Sequence, residues 1–287
     1  MPKLLLLSVL APALGLNIEA QNLFVGEYPA NIIVSYSPNG TASTFASGLY
    51  LPNGLAFDSV GNLFVADEGS GNIYKSSPDG TRSTFASGLN NPYGLAFNRA
   101  GDLFLTENGG GHIYEYTPSG TRSTFTSGLS DPAGLAFDSQ GDLFQSDFIS
   151  ANIYKYTPDG TRSTFASGLY PSGLAFNNVG DLFAADQVNG FIYEFTPDGE
   201  KSTFASGLST PIGLAFNDAG VLFESDLGSG HIYEFKSDGT QSTFASGLNV
   251  GNSPFGLAFQ PIPEPSTLAL AGLGLAVIFG CGRKRNE

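Results

Sequence analysis

Six carboxylates recur at one step of the chain: Glu27, Asp67, Glu107, Asp147, Asp186 and Asp226 each close a short apolar run. Carboxylate oxygens suit hard cations, and calcium takes about six to eight oxygen ligands. One site on the axis of a ring needs no carboxylate from every unit, so the regular recurrence predicts a structural role. Each is expected to accept backbone N–H groups from a neighbouring loop. A second set varies instead. The residue ahead of each Gly-Leu-Ala-Phe is Asn53, Tyr93, Ala133, Ser172, Ile212 or Phe255. Among these, Asn53, Tyr93, Ser172 and Phe255 have the chemistry to stack on, or hydrogen-bond to, a small ligand. His112 and His231 share a repeat position at which other units carry Asn72 or Asn152. Two histidines can serve as acid and base, but at a place where Asn suffices they are expected to be solvated loop residues. Gly109-Gly110-Gly111 lacks the lysine and helix of a phosphate loop, and the chain has neither a Gly-x-Ser-x-Gly elbow nor a paired-histidine zinc motif.

The background narrows these readings. The 287 residues include 38 Gly, 17 Pro and 24 Phe, no Trp, and only 13% charged side chains. Such a chain is turn-rich and aromatic, which points to an all-β fold. Its 26 acidic residues outnumber 12 basic ones. Without the two terminal segments described below, 23 acidic and 8 basic residues remain, a net charge of −15. Nucleic-acid binding needs a basic patch to displace counterions, so it is excluded. The single cysteine, Cys281, lies in the apolar tail, leaving the body without a disulfide, a zinc-thiolate site or a thiol nucleophile.

The elements that carry these side chains follow from a repeat. Gly-Leu-Ala-Phe begins at Gly54, Gly94, Gly134, Gly173, Gly213 and Gly256, and Ser-Thr-Phe recurs six times from Ser43 to Ser242. Six Leu-Phe pairs begin at Leu23, Leu63, Leu103, Leu143, Leu182 and Leu222. One unit, Gly54 to Leu89, contains four short β-type runs separated by Gly, Pro, Asn and Asp turns. Four strands per roughly 40 residues describe a propeller blade. The body begins on the second strand of a unit and ends on the first, so the C-terminal strand is expected to complete the N-terminal blade. This closure removes an open sheet edge. The fold class is therefore all-β: a six-bladed β-propeller over residues 21–260, its first strands lining the axis and its last facing solvent.

Both ends read as addresses. Lys3 precedes an apolar run from Leu4 to Leu16 and then Ile18-Glu19-Ala20, the pattern of a signal peptide over residues 1–20. The other end, 261–287, reads Pro263-Glu264-Pro265, an apolar run expected to be helical over 268–280, and Arg283-Lys284-Arg285. Thirteen helical residues span roughly 20 Å, short of a bilayer core of about 30 Å. This suits transient membrane insertion, with the basic end held on the cytoplasmic side. The tail resembles the PEP-CTERM sorting signal of Gram-negative bacteria. That resemblance implies processing by an exosortase-type enzyme, and delivery to the outer surface or the extracellular matrix.

The body's repeated Pro-x-Gly-Leu-Ala-Phe, Gly-Asn-Leu-Phe-Val-Ala-Asp and Gly-Asn-Ile-Tyr resemble NHL repeats and the SMP-30/gluconolactonase-like propellers. Lactonases of that type hold one divalent metal with a Glu, Asn residues and an Asp from different blades. Only Asn53 matches; Ala133, Ser172, Ile212 and Phe255 stand where partners would be. One neutral amide neither holds a metal nor activates its water. The expectation is thus a non-enzymatic binding or structural module with no cofactor, whose partner is an extracellular polysaccharide or a surface protein. The alternative is an SMP-30-like lactonase or hydrolase using calcium or another divalent cation, with Asn53 as its metal ligand.

Overall fold

A computed structural model describes residues 21–28, 30–248 and 253–262. The expected signal peptide, the tail with its helix, and Pro263, Glu264, Pro265, Arg283, Lys284 and Arg285 lie outside these. The described residues form six four-stranded antiparallel sheets. Blade 2 is representative: Pro52–Phe57, Leu63–Asp67, Asn72–Ser76 and Arg82–Ala86 follow one another from axis to rim. Blades 3 to 6 repeat this order, with innermost strands Pro92–Phe97, Pro132–Phe137, Pro171–Phe176 and Pro211–Phe216. Blade 1 is the composite: Ser253–Phe259 pairs with Leu23–Tyr28, placing Phe259 opposite Leu23 and Leu257 opposite Val25. Ladder hydrogen bonds from the end of the body to its beginning thus close the ring and give Leu23–Tyr28 a partner on both sides.

The three recurring sequence markers meet at one place. At each of the six seams, the phenylalanine of the Leu-Phe pair stands edge-on to two others. One belongs to Ser-Thr-Phe in its own blade and one to Gly-Leu-Ala-Phe in the next. Phe24 lies 4.9 Å from Phe45 and 5.0 Å from Phe57 between ring centroids, and Phe223 lies 5.0 Å from both Phe244 and Phe259 across the closing seam. Edge-to-face geometry is the preferred arrangement of aromatic quadrupoles. Around each triad an apolar cluster spans two blades, as Phe64, Ile73 and Leu89 do with Leu95, Leu103 and Tyr116. The core is therefore six seams, each drawing on both neighbours.

The innermost strands touch one another around the axis. Here the glycine of Gly-Leu-Ala-Phe is obligatory on space alone. A Cβ at Gly54, Gly94, Gly134, Gly173, Gly213 or Gly256 would stand less than 3.0 Å from the backbone carbonyl of the residue ahead of the next blade's glycine. Next to it, the ladder between innermost and second strands shifts register. The innermost strand reaches back to Pro52 in blade 2, three residues earlier than the apolar run Leu55 to Phe57, because the bulge keeps Asn53 and Gly54 within the strand.

The second strands also carry buried polar side chains. Thr106, Ser146 and Ser225 occupy one buried position and bridge blades: each hydroxyl accepts from the N–H of Gly94, Gly134 or Gly213 at 2.7, 2.7 and 2.8 Å. Each then donates to the carbonyl of Ala133, Ser172 or Phe255 in the next blade, at 2.7, 2.5 and 2.5 Å. Gln145 and Glu224 are likewise fully buried, at a position held by Val25, Val65, Leu105 and Ala184 in the other blades.

Candidate functional site

The carboxylate ring is consumed by the fold. Asp67 accepts from the Tyr50 N–H and the Ser70 hydroxyl, both at 2.6 Å. Glu107 takes the Asn90 N–H at 2.9 Å. Asp147 takes the N–H groups of Ser130 and Ser150 at 2.9 and 3.0 Å, and Asp226 those of Ser209 and Ser229 at 2.7 and 2.8 Å. Each of these pins the loop arriving from the previous blade, and Asp147 and Asp226 also hold the hairpin that follows them. Blade 5 has one residue fewer in the incoming loop, and Asp186 holds only the hairpin, through Asn189 at 3.1 and 2.9 Å. Glu27 instead accepts the Tyr36 hydroxyl at 3.3 Å, while burial raises its carboxyl above the usual range.

The two histidines open third strands rather than sitting in solvated loops. His112 stacks on Tyr114 and His231 on Tyr233, with ring centroids 5.4 and 5.5 Å apart. Their Nδ1 atoms are buried. The strand begins one residue after the hairpin's αL glycine, so the imidazole is drawn onto the sheet, where the tyrosine two residues on shares its face.

The axis is where blades differ. Asn53, Tyr93, Ser172, Ile212 and Phe255 line an axial cavity of about 100 Å³, floored by the glycines and leucines of Gly-Leu-Ala-Phe. The four sequence-predicted residues thus come together in one cavity. Asn53 and Ser172 are 1% and 2% exposed. Tyr93 and Phe255 pack edge to face at 5.7 Å, and Tyr28 lies 6.1 Å from Phe255. Burial raises the Tyr93 phenol well above its ordinary range; Ser172 offsets this in part, and the negative fields of Glu68 and Asp131 add to it.

A neighbouring cavity of about 220 Å³ shares Tyr93 and Ser172 with the first. Asn108, Asp131, Phe148 and Gln187 line it too, with Ala133 and Pro171. These residues were not singled out by sequence, although a signal exists. The residue after each ring carboxylate is Tyr28, Glu68, Asn108, Phe148, Gln187 or Leu227, as variable as the set ahead of Gly-Leu-Ala-Phe. In blades 2 to 6 its backbone N–H donates at 3.0 Å to a carbonyl of the incoming loop. The main chain thereby fixes the position whatever side chain it carries, so the side chain can differ from blade to blade. Asp131 is the one carboxylate among the residues preceding the innermost-strand prolines Pro52, Pro92, Pro132, Pro171 and Pro211.

A larger groove of about 540 Å³ runs outside the seam between blades 3 and 4. Its walls are the Phe104, Phe125 and Phe137 triad, and equivalent grooves flank other triads, so it is a by-product of blade packing.

A divalent metal of the lactonase kind does not fit the axial donors. The side-chain oxygens lining the axial cavity, from Asn53, Tyr93 and Ser172, belong to neutral groups, no carboxylate lines it, and Ile212 and Phe255 offer no side-chain oxygen. Among the described residues no three His, Cys, Asp or Glu side chains gather where they could hold a metal ion.

Comparison with known proteins divides the chain in two. Residues 261–285 match the PEP-CTERM protein-sorting motif, an export-sorting signal processed by exosortase. No curated protein sequence matches the chain. The body is similar to several solved propellers. One in a nidogen/laminin complex has 20% identity and a TM-score of 0.77, covering 85% of this chain and all of that one. A gluconolactonase from Xanthomonas campestris has 17% identity and a TM-score of 0.67, covering 86% of this chain and 93% of its own. A streptogramin B lyase has 20% identity and a TM-score of 0.66, covering 84% and 88%. At these identities the likeness establishes the six-bladed fold alone.

Proposed function

We propose that this chain is an exported propeller that acts as a non-enzymatic binding module at the outer surface or in the extracellular matrix, delivered there through its C-terminal sorting motif. The supporting observation is the axial donor set. Asn53, Ser172, Tyr93 and Phe255 surround the axis, and five of the six ring carboxylates, Asp67, Glu107, Asp147, Asp186 and Asp226, are already bonded to backbone N–H groups. Such a mouth orients a ligand without activating it. Its partner is an extracellular polysaccharide or a surface protein.

The test is co-sedimentation of the full-length protein with extracellular polysaccharide from its host, comparing wild type with a Tyr93→Ala, Phe255→Ala double variant. Retention by the wild type and its loss in the variant are expected; equal retention would remove the mouth from the account. Asn53, together with a gluconolactonase among the fold's relatives, favours a second reading as a metal-dependent lactonase or hydrolase. Turnover of a sugar lactone that stops on chelation would replace the binding reading with that one.

A further inference from the structure

We propose that, while the sorting tail holds the chain at a membrane, the propeller stands with the face opposite the mouth towards the bilayer and presents the mouth away from it. This rests on the delivery part of the reading above and is independent of what the mouth binds.

The place where the chain leaves the ring carries the argument. The strand Ser253–Phe259 runs from Phe255, in the axial cavity, to Phe259, which pairs with Leu23 at the start of Leu23–Tyr28. The described chain therefore begins and ends on the face opposite the mouth, the base of the propeller. Hydrogen bonds pin both ends there. Gln21 donates from Nε2 to the Gln260 carbonyl at 3.0 Å, and its Oε1 accepts the N–H of Asp218, in the base hairpin of blade 6, at 2.8 Å. The Gln260 N–H donates to the Asn22 carbonyl, also at 3.0 Å. Ile262 lines the same groove as Gln21, Pro38, Asn217 and Asp218, at the closing seam. The sorting motif at 261–285 is thus attached to the base.

The tether is too short to turn the ring over. Six residue steps separate Ile262 from Leu268, where the apolar run starts. A fully extended chain covers at most about 3.6 Å per step, roughly 22 Å in all, and about 5–7 Å of that is used in crossing the headgroup layer. Laying the mouth on lipid would require a path outward past three strands about 5 Å apart and then up the roughly 17 Å height of a blade, about 30 Å in total. The innermost strands, which touch one another around the axis, close the other route. The exposed apolar side chains of the mouth face, Tyr50, Ile149, Tyr170 and Val188, are thereby turned to solvent rather than to lipid. So is the axial cavity, which is open to a ligand while the tail still holds the chain.

Fluorescence quenching reads this orientation directly. The exported protein, purified with its tail intact from cells lacking the exosortase and carrying Cys281→Ser, is reconstituted into liposomes of phosphatidylethanolamine and phosphatidylglycerol with nitroxide on the headgroups of both leaflets. One label is attached through Ser59→Cys in a base hairpin and another, separately, through Ser130→Cys on the mouth face; both serines are exposed. The base label is expected to be quenched about threefold more strongly than the mouth label, given the height of a blade between them. Inserting twenty Gly and Ser residues after Ile262 raises the r.m.s. reach of the tether to roughly 28 Å and should erase the difference. Equal quenching of the two labels without the insertion, or stronger quenching at the mouth, overturns the inference and leaves membrane delivery standing. A difference that survives the insertion overturns the tether as its cause. Protein that fails to float with the liposomes contradicts the delivery reading itself, and the inference falls with it.

Discussion

The six seams between blades and the ring of residues around the axis come from the same repeat but behave oppositely. Every seam has the same three phenylalanines in the same edge-to-face stack, with Phe24, Phe104 and Phe183 interchangeable in role. Around the axis, Asn53, Tyr93, Ala133, Ser172, Ile212 and Phe255 share one backbone position and almost nothing else. The reason is steric. A seam residue must fill a space shaped by two blades, so a change in volume is felt at once. A mouth residue is fixed by main-chain contacts, through its glycine neighbour or a backbone hydrogen bond, and its side chain faces a cavity. Repetition therefore records packing, and departures from it mark the places where a ligand can be read.

Substitutions sharpen that contrast, beginning at the seams. Phe144→Ala removes the ring between Phe165 and Phe176 and should cost about 3–5 kcal/mol. Thermal unfolding should show it as a fall of roughly 10 °C, and Phe24→Ala and Phe183→Ala should match it. A much smaller loss at one seam would show that the six are not equivalent. Gly173→Ala places a methyl group against the Ile212 carbonyl and should cost about 1–3 kcal/mol, measured by urea denaturation.

Glu224 is the exception that breaks the pattern within a seam. It is fully buried, neither oxygen has a partner, and burial, reinforced by Asp226, raises its carboxyl well above 4.5. The folded protein therefore keeps the proton that the unfolded chain releases. Its stabilising contribution is whole below pH 4.5 and is lost as the pH rises through the folded value. Glu224→Leu, the residue that Leu105 supplies in blade 3, should stabilise the protein by about 2 kcal/mol at neutral pH. Denaturant midpoints measured against pH should show that gain shrinking towards pH 4.5; a gain independent of pH would mean that Glu224 does not titrate in the fold. The smallest stability change belongs to the mouth. Asn53→Ala gives up the bond to Glu68, worth about 1 kcal/mol, yet it should abolish ligand binding.

Much of this was legible in the sequence because turn chemistry and packing leave repeating marks. The phase of the repeat located the closure between Leu23 and Phe259, and the recurring carboxylates announced their structural role. Asn53, Tyr93, Ser172 and Phe255 could be grouped because a single motif follows each. Asn108, Phe148 and Gln187 occupy an equally regular position, but no motif follows them, and only the packing of successive blades brings them beside Tyr93 and Ser172. The hydroxyls of Thr106, Ser146 and Ser225 escaped notice for a different reason: they replace Gly26, Ala66 and Ala185 within apolar strands, and their partners belong to the next blade.

The central claim is that the axis binds without a metal. The most direct test is the melting temperature of the full-length protein in calcium and in chelator. The account predicts the same temperature in both. A stoichiometric cation whose removal lowers the melting temperature would contradict it and return Asn53 to the role of a metal ligand.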